Sequence, residues 1–412
     1  MEKFRKRVFI TCGYNTTVMG SGRKEFNPKM PRPDLEDYIK EAGQGVIKQI
    51  EDASLIDEVI FSNFMAARYN KQANLAAFAP YIDEKLKYKP SIRVEGACGS
   101  GGLALATAIK TILSDFADVI LVIGVEVQNT VKAVYGADYL ALAGWFKERK
   151  QGHAHFFPAK FAYRANKYYE KFGKENTRKA MAMWYKNAIE NARLCPTAQE
   201  YHNTIPNLYE IALCEPNPNT FLDHITVYDC SKVSDGASAL LVVSETGLKK
   251  IGKKLNEAIE IIGIGQAIDD ITKQPYDPTQ LLTTKEAVKK AFNMANITPL
   301  DLATVECHDC FTIAGIMSVE AIGLANYGEG WKYVYEGKTS RNGEVPFNTT
   351  GGLIGWGHPV GATGVHQAET IWEQLTEKAN EAQIKINKPF ALSINMGGDD
   401  KTVTAIVYKK TE

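Results

Sequence analysis

The amino-acid sequence predicts a layered α/β fold made of two similar halves, with an insertion in the first half. Helices alternate with buried strands along the chain, which is typical of α/β layers. The same order of elements returns in the second part of the chain. The character of the sequence changes over 128–222, where aromatic, Lys, Asn and Pro residues dominate. With 412 residues, 45% of them hydrophobic, the chain is long enough to bury such a core.

The first half alternates strands with helices. Its strands are predicted from short apolar runs at 7–13, 54–64, 91–96 and 117–127. The last of these, ADVILVIGVEV, is almost continuously apolar, as expected for a strand that is covered on both faces. Helices are predicted over 34–50 and directly after Cys98. The insertion contains a helix over 175–193, and strand character returns over 225–245.

The second half repeats this order. Residues 258–268 predict a strand, and 284–296 predict a helix whose apolar residues recur on one face. Further segments parallel the first half, namely 298–309 with 54–65, and 390–410 with 225–245. We therefore predict two copies of one α/β unit, over residues 1–250 and 256–412, the first of which carries the insertion 128–222.

Charge and composition exclude several classes of protein. Lys plus Arg and Asp plus Glu are equal at 48 each, so no global field favours nucleic acid or an anionic membrane. The apolar runs are too short to span a bilayer, and the first residues do not resemble a signal peptide. Seven widely spread cysteines are typical of reduced thiols, so we expect a cytoplasmic protein.

The first candidate functional residue is Cys98, in the stretch VEGACGSGG. It lies where a strand turns into a helix, and a helix N-terminus favours negative charge. We therefore expect its pKa to fall from about 8.5 toward about 7, which makes roughly half of it thiolate at neutral pH. Gly99, Gly101 and Gly102 leave the backbone open to a substrate, at about 1 kcal/mol each. A buried structural cysteine is the alternative.

The second candidate is the stretch CHDC at 307–310. A zinc site needs four ligands, usually from paired segments, and only one CxxC is present, so we expect no metal. If 303–308 is a strand and continues, alternation puts His308 and Cys310 on one face. A histidine beside a thiol can perform acid–base chemistry. A strand end with a hydrogen-bonded histidine is the structural alternative.

The third candidate is His358, in GWGHPVGATG. Gly357 and Pro359 hold it in a loop ahead of a Gly/Ala-rich helix. A rigidly placed neutral imidazole is what a general base for a thiol requires. The alternatives are a polar turn residue and a phosphate-binding loop, although the segment lacks the GK[ST] ending of a Walker motif.

Taken together, these stretches resemble the thiolase family, most closely its sterol-carrier-protein-2-type and related archaeal and bacterial members. The matching segments are ACGSGG around Cys98, SDGASALLV at 234–242, HDCF at 308–311, GGLIGWGHPVGATG at 351–364 and NMGG at 395–398. The resemblance covers almost the whole chain in the right order. It implies a five-layered αβαβα fold, a homodimer or homotetramer, and in some members a small OB-fold partner.

The resemblance also implies an activity and residue roles. The activity is reversible carbon–carbon cleavage or formation on CoA thioesters, with coenzyme A or acyl-CoA as substrate and no tightly bound cofactor. Cys98 corresponds to the nucleophile, and His358 to the residue that activates it and donates to the enolate oxygen. His308 helps to bind that oxygen. Phe311 lines the pantetheine entrance, and the backbone amides of Cys98 and Gly397 form a second oxyanion hole.

One position departs from the family pattern. Many thiolases have a Cys-x-Gly segment whose cysteine is the second acid/base, and here that position is Asn395. The resemblance to HDCF-type members assigns this role to Cys310. A ketoacyl synthase or hydroxymethylglutaryl-CoA synthase lacks the HDCF cysteine, which argues against these relatives. The loss of the usual thiol also motivates a different alternative, a non-catalytic acyl-CoA or lipid-binding or scaffold protein with this fold.

Overall fold

The structure, a computed structural model, describes residues 4–151 and 155–412. Its strands are β1 Val8–Asn15, β2 Met19–Gly20, β3 Glu58–Ser62, β4 Ser91–Val94, β5 Val119–Val127, β6 Ser234–Ser244, β7 Ile259–Ile268, β8 Leu302–Glu306, β9 Phe390–Gly397 and β10 Thr402–Lys410. Its helices are α1 Leu35–Ile47, α2 Ala66–Tyr69, α3 Ala79–Ile82, α4 Ser100–Leu113, α5 Ala133–Leu140, α6 Phe156–Phe172, α7 Lys174–Ala192, α8 Leu208–Ala212, α9 Glu245–Lys250, α10 Leu282–Ala295, α11 Thr312–Ile322, α12 Gly330–Tyr335, α13 Gly352–Gly355 and α14 Thr363–Leu375. None of these helices combines the length and apolar character needed to cross a membrane.

The two halves share one strand arrangement. The sheet runs β4-β3-β5-β6-β1-β7-β10-β9-β8, and β2 pairs with β6. In the first half β3 pairs parallel with β5, which pairs antiparallel with β6. In the second half β8 pairs parallel with β9, which pairs antiparallel with β10. The halves join where β1 runs antiparallel to β7. The predicted repeat is confirmed, whereas the exact boundaries at 250 and 256 stay a prediction.

Three large buried apolar clusters fill the spaces between the five layers, and the central cluster fills the spaces on both sides of the middle layer. The first cluster packs α1, for example Ile39, against one face of the first-half strands. The central cluster contains α4 and α14, with Ile109 and Val365, between strands of both halves. The third packs α10 and α11, with Val288 and Ile316, against the second-half strands. Burying each such side chain contributes about 1.5–3 kcal/mol. The five-layered αβαβα prediction is therefore confirmed.

The two central helices approach each other very closely. A Cβ atom on Gly101 of α4 would lie 2.6 Å from the Cα of Gly364 in α14, so only glycine allows this contact. The N-termini of the two helices consequently lie side by side. Because Cys98 precedes α4 and His358 precedes α14, this contact brings together residues from opposite halves of the chain.

The insertion packs on the second half. Helices α5 to α8 lie between β5 and β6 in the chain, in the region where the sequence predicts the insertion. A Cβ on Gly315 of α11 would lie 2.3 Å from the ring of Trp184 in α7, which shows how tightly these helices fit. The insertion therefore belongs to the same core as β8, β9 and α11.

Two predicted strands are shorter in the structure. The sequence predicts strand character over 225–245, but β6 begins only at Ser234. The preceding residues form a 3-10 turn, and its Asp229 is buried in an ion pair with Arg178 at 2.6 Å. The strand predicted over 303–308 ends at Glu306, because the next residue's amide donates to the side chain of Asn348.

Candidate active site

Three reactive side chains from separate segments meet at the centre of the molecule. One side-chain atom each of Cys98, His308 and His358 lies within 4.8 Å of the other two. The cysteine precedes α4, one histidine follows β8, and the other precedes α14. The site therefore depends on the packing of the two halves. A thiol and two imidazoles can carry out nucleophilic and acid–base chemistry, and they are also ligand types that zinc accepts.

The backbone around Cys98 is held in a strained turn. Ala97 has a φ of 54°, a left-handed conformation that alanine rarely adopts. Glu95 accepts a 2.6 Å hydrogen bond from the Ala97 amide, and the Ser100 hydroxyl donates to the Ala97 carbonyl at 2.6 Å. Such strain persists only where neighbouring groups over-determine the conformation, and it is common at functional sites. Cys98 keeps partial exposure, so a substrate can approach its sulfur.

The expectation of a lowered Cys98 pKa is wrong. Desolvation raises the pKa of the thiol to about 12. Hydrogen bonds from the backbone amides of Gly398 and of Cys98 itself lower it, but they do not offset the desolvation, and the nearby Glu126 raises it further. The helix N-terminus is present, yet the cysteine is surrounded by apolar side chains, which favour the neutral thiol. The Cys98 thiol is consequently uncharged at rest, and it would need a base in order to act as a nucleophile.

His358 has the geometry of that base. Its backbone amide donates to the Ser234 hydroxyl at 2.8 Å, and its Nδ1 lies 2.7 Å from the Thr363 hydroxyl. Because that hydroxyl donates its single proton to the Pro359 carbonyl, it accepts from Nδ1–H. This network places the single ring proton of His358 on Nδ1, so Nε2 holds a free lone pair. Burial lowers the pKa of His358 to about 3, so the ring is neutral.

His308 faces His358 edge to face. The ring centroids are 5.2 Å apart, with an interplanar angle of 86°. His308 is only 2% exposed, and burial followed by the nearby His358 lowers its pKa well below the usual value. Its Nδ1 lies 3.4 Å from the side-chain nitrogen of Asn395. Both imidazoles are therefore neutral, and each is oriented through Nδ1.

Cys310 lies near the three groups but outside their 4.8 Å cluster. Its pKa is raised well above the usual value, first by burial and then by electrostatic repulsion from Cys98 in its thiolate form. The two sulfur atoms are thus close enough to interact electrostatically. The predicted strand alternation does not place Cys310, because β8 ends at Glu306 and the HDCF segment is a loop. Its carbonyl accepts from the Ser231 amide at 2.9 Å, which ties this loop to the start of β6.

The other residues of the HDCF loop connect it to its surroundings. Asp309 is completely buried and accepts from the indole nitrogen of Trp184 at 2.9 Å and from the Leu353 amide at 2.7 Å. It therefore links the insertion to α13, which leads to His358. Phe311 stacks on Phe161 of α6, with ring centroids 4.4 Å apart. These contacts also attach the insertion to the site.

The turn between β9 and β10 closes the site from another side. A Cβ on Gly99 would lie 3.1 Å from the Gly397 amide, so the turn that carries Cys98 and this turn are in contact. Next to them Asp399 forms a buried ion pair with Arg164 of α6, at 2.5 Å. Arg164 also donates to the carbonyls of Pro278 and Gln280. Helix α6 thus contacts the HDCF loop through Phe161 and the turn between β9 and β10 through Arg164.

Glu126 is a structurally important residue that sequence reasoning missed. It is fully buried at the end of β5 and accepts from the amides of Phe64, Met65 and Gly361. Burial outweighs these donors and raises its pKa to about 7. The only sequence signal was a single charged residue, within the apolar run VILVIGVEV. Glu126 fixes the loop that carries His358 to the first half.

Apolar side chains surround Cys98. Phe64, Met65 and Leu142 belong to the apolar cluster that includes Cys98, and they also line a cavity of about 380 Å³. Arg93 and Glu95 complete the lining of this cavity. A larger cavity of about 540 Å³ between α10 and α11 contains none of the candidate site residues.

Comparisons with known proteins agree with this arrangement. Residues 15–206 match the family model described as thiolase, N-terminal domain, and residues 265–410 match thiolase C-terminal domain-like. The acetyl-CoA acetyltransferase of Methanothermobacter thermautotrophicus is 33% identical over 404 residues, covering 96% of this chain and 100% of that protein. Sterol carrier protein 2 of Bos taurus is 28% identical, covering 95% of this chain and 70% of that protein.

Solved structures share the fold. The Ltp2-ChsH2(DUF35) aldolase superposes with a TM-score of 0.77 at 17% identity, over 98% of each chain. Human mitochondrial 3-ketoacyl-CoA thiolase in complex with CoA gives a TM-score of 0.68 at 16% identity, over 100% of each chain. At these identities the match concerns the arrangement of layers and strands.

Proposed function

This chain belongs to the thiolase family, and from that premise we propose that it cleaves 3-ketoacyl-CoA, and in reverse condenses acyl-CoA units, through an acyl-cysteine at Cys98. The enzyme is an acyltransferase of the thiolase type, and coenzyme A thioesters are its substrates. The observation that carries the proposal is the meeting of Cys98, His308 and His358 within 4.8 Å.

In the first step, His358 takes the thiol proton while the Cys98 sulfur attacks the 3-keto carbon of the substrate. The resting pair is neutral, so the proton moves as the carbon–sulfur bond forms. The keto oxygen becomes an oxyanion, and the backbone amides of Cys98 and Gly397 donate to it. Each such donor typically lowers the barrier by about 2.7–4 kcal/mol.

In the second step, the bond between C2 and C3 breaks and the acyl group stays on Cys98. The electron pair of that bond becomes the enolate of the departing acyl-CoA. His308 and protonated His358 donate hydrogen bonds to the enolate oxygen. Cys310 then gives its proton to C2; its raised pKa keeps that proton available until the strongly basic carbon appears.

In the third step, the Cys310 thiolate takes the proton of an incoming CoA thiol, whose sulfur attacks the acyl group. Cys98 leaves and recovers its proton from His358. The products are two acyl-CoA molecules, and every side chain returns to its starting state. In this scheme the acyl group lies against Phe64, Met65 and Leu142, and Phe311 lines the pantetheine entrance.

The proposal extends to partners. We expect a homodimer or homotetramer, and a small OB-fold protein as a further component. The structural neighbour Ltp2-ChsH2(DUF35) aldolase supports a two-component arrangement by analogy. Measuring the mass of the purified protein in solution, alone and from its native source, tests both expectations.

The test of the function is thiolysis of acetoacetyl-CoA and of longer 3-ketoacyl-CoA thioesters with free CoA. We expect acetyl-CoA release by the wild-type protein and a loss of roughly four orders of magnitude or more in Cys98→Ala. Mass spectrometry should find an acyl group on Cys98 in the wild type. Full turnover by Cys98→Ala, or binding of thioesters without any acyl transfer, would refute the proposal.

The role of Cys310 has its own test. Cys310→Ala should slow α-proton exchange on a bound acyl-CoA by about 10²–10⁴-fold, because it removes the acid and base for carbon. Acylation of Cys98 by acyl-CoA should slow less, because the departing CoA thiolate is a far weaker base than the enolate carbon and depends less on the proton of Cys310. Cys230→Ala is a matched control, since this thiol lies beside the same loop and has no role in the scheme. Equal losses in both half-reactions would contradict the assignment of Cys310.

A further inference from the structure

We propose that Asn395 is a positioning residue that fixes the tautomer of His308, so that the Nε2–H of His308 is presented to the substrate oxygen. Asn395 stands where many thiolases have an acid/base cysteine, and it cannot exchange protons in that way. The inference rests on the proposed function, in which His308 binds the enolate oxygen, and it adds the residue that makes His308 a donor.

The orientation of the Asn395 amide is fixed by an unambiguous donor. The backbone N–H of Gly102, in the first turn of α4, points at the side-chain oxygen of Asn395 over 2.8 Å. An N–H group can only donate, so this atom must be the oxygen. The side-chain nitrogen consequently faces the other way, toward the Cys98 carbonyl at 3.0 Å and the Nδ1 of His308 at 3.4 Å.

The tautomer of His308 follows from this orientation. An amide nitrogen carries two protons and accepts no hydrogen bond. One proton goes to the Cys98 carbonyl, and the other points at His308 Nδ1, which must therefore hold a lone pair. A neutral imidazole has a single ring proton, and it is then on Nε2. His308 is neutral because it is buried and faces His358.

The amide has little room to rotate. A Cβ on Gly364 would lie 2.5 Å from the Asn395 oxygen, and one on Gly102 would lie 3.1 Å from the Asn395 Cβ. The side chain is thus wedged between the starts of α4 and α14 and is only 2% exposed. A cysteine at this position would be shorter, and its sulfur is a weak acceptor for the Gly102 amide. The glycines of both helix starts therefore have a second purpose, which is to make space for an amide.

The direct test is nitrogen NMR of the seven histidines after ¹⁵N labelling, with His308→Gln to assign the ring. In the wild type we expect a protonated Nε2 and an unprotonated Nδ1. Asn395→Asp keeps an acceptor for the Gly102 amide and replaces the donor by a second acceptor. We expect the variant to protonate Nδ1. An Nδ1–H tautomer in the wild type, or no change in Asn395→Asp, would overturn the inference.

Kinetics separate a positioning role from a structural one. Asn395→Asp should lower kcat for thiolysis by about 10–100-fold, as is typical when the partner that orients an active group is lost. In a His308→Ala background the same change should cost less than about twofold, because its effect passes through His308. Fully additive losses would indicate a structural role and contradict the proposal.

A matched variant controls for burial of a carboxyl group. Asn191 is 3% exposed, and its amide donates to the carbonyls of Phe347 and Asn348 without touching an imidazole. Asn191→Asp should destabilise the fold comparably and leave the His308 tautomer unchanged. If the wild type shows no acyl transfer at all, the proposed function fails, but the tautomer measurement still decides this inference.

Discussion

The two halves of the molecule place different side chains at one equivalent position. Strands β5 and β9 have the same neighbours in their halves, and Gly124 and Ser393 are the residues that face the ends of β3 and β8. Glu126 and Asn395 each lie two residues further on. Both are buried, and both reach across to the helix start of the other half: Glu126 to the loop before α14, and Asn395 to α4.

The difference between these residues teaches how a duplicated scaffold becomes asymmetric. Glu126 accepts four hydrogen bonds, three of them from backbone amides, so it holds loops. Asn395 accepts one and donates the others, so it can orient an imidazole. A carboxylate only accepts, whereas an amide does both. One half consequently supplies an anchor and the other a device for positioning His308.

A second pair of equivalent positions separates nucleophile from base. Cys98 precedes α4 and His358 precedes α14, and these helices touch through Gly101 and Gly364. The first half therefore contributes the sulfur, and the second contributes the imidazole that takes its proton in the proposed scheme. Neither half contains both.

The largest effect is expected when the histidine of this second pair, His358, is replaced. His358→Asn removes the base while keeping a polar side chain, and we expect kcat/KM for thiolysis to fall by about 10²–10⁴-fold. His366→Asn is the matched control, because His366 is also buried on the same segment, stacked on Trp356 with ring centroids 3.4 Å apart. That control should lose less than about tenfold. Similar losses in both variants would show that any buried imidazole on this segment matters equally.

A smaller effect is expected on the pH dependence of stability, through Glu126. Burial raises the pKa of Glu126 to about 7 in the folded protein, above its ordinary value of 4.5. The stability contributed by the neutral carboxyl is present below pH 4.5 and is lost as the pH rises through about 7. The stability advantage of the wild type over Glu126→Gln should therefore shrink between pH 5 and pH 8, by up to roughly 3 kcal/mol.

Urea unfolding at both pH values measures this difference. Glu126→Gln should also leave kcat per folded molecule within about tenfold of the wild type, because Glu126 does not touch the reacting groups in the proposed scheme. An advantage that widens with pH would mean that the amide donors, and not desolvation, dominate at Glu126.

The smallest effect tests the charge of the nucleophile. With its pKa raised to about 12, Cys98 should be alkylated by iodoacetamide about tenfold faster per pH unit up to pH 10, without a plateau. Peptide mass spectrometry follows Cys98 separately from the exposed Cys214. A plateau near pH 7 would contradict the raised pKa and indicate the lowered pKa that the helix N-terminus alone predicts.

The sequence by itself determined the order of elements, the two halves and the three side chains that meet at the candidate site. Apolar runs and helical periodicity are local patterns, so β5, β7 and α10 could be predicted from them. The segments around Cys98 and His358 were recognisable because their glycines, cysteine and histidine are clustered in the chain.

Only the tertiary structure decided which atoms meet and what charge they carry. The Cys98 pKa depends on apolar neighbours from distant segments, and their desolvation outweighs the local helix N-terminus. Asn395 was predicted only as a missing thiol, since its hydrogen bonds join residues 87 and 293 positions away. Glu126 gave no clear signal for the same reason. Burial and long-range contacts are properties of the packed halves, and no short segment contains them.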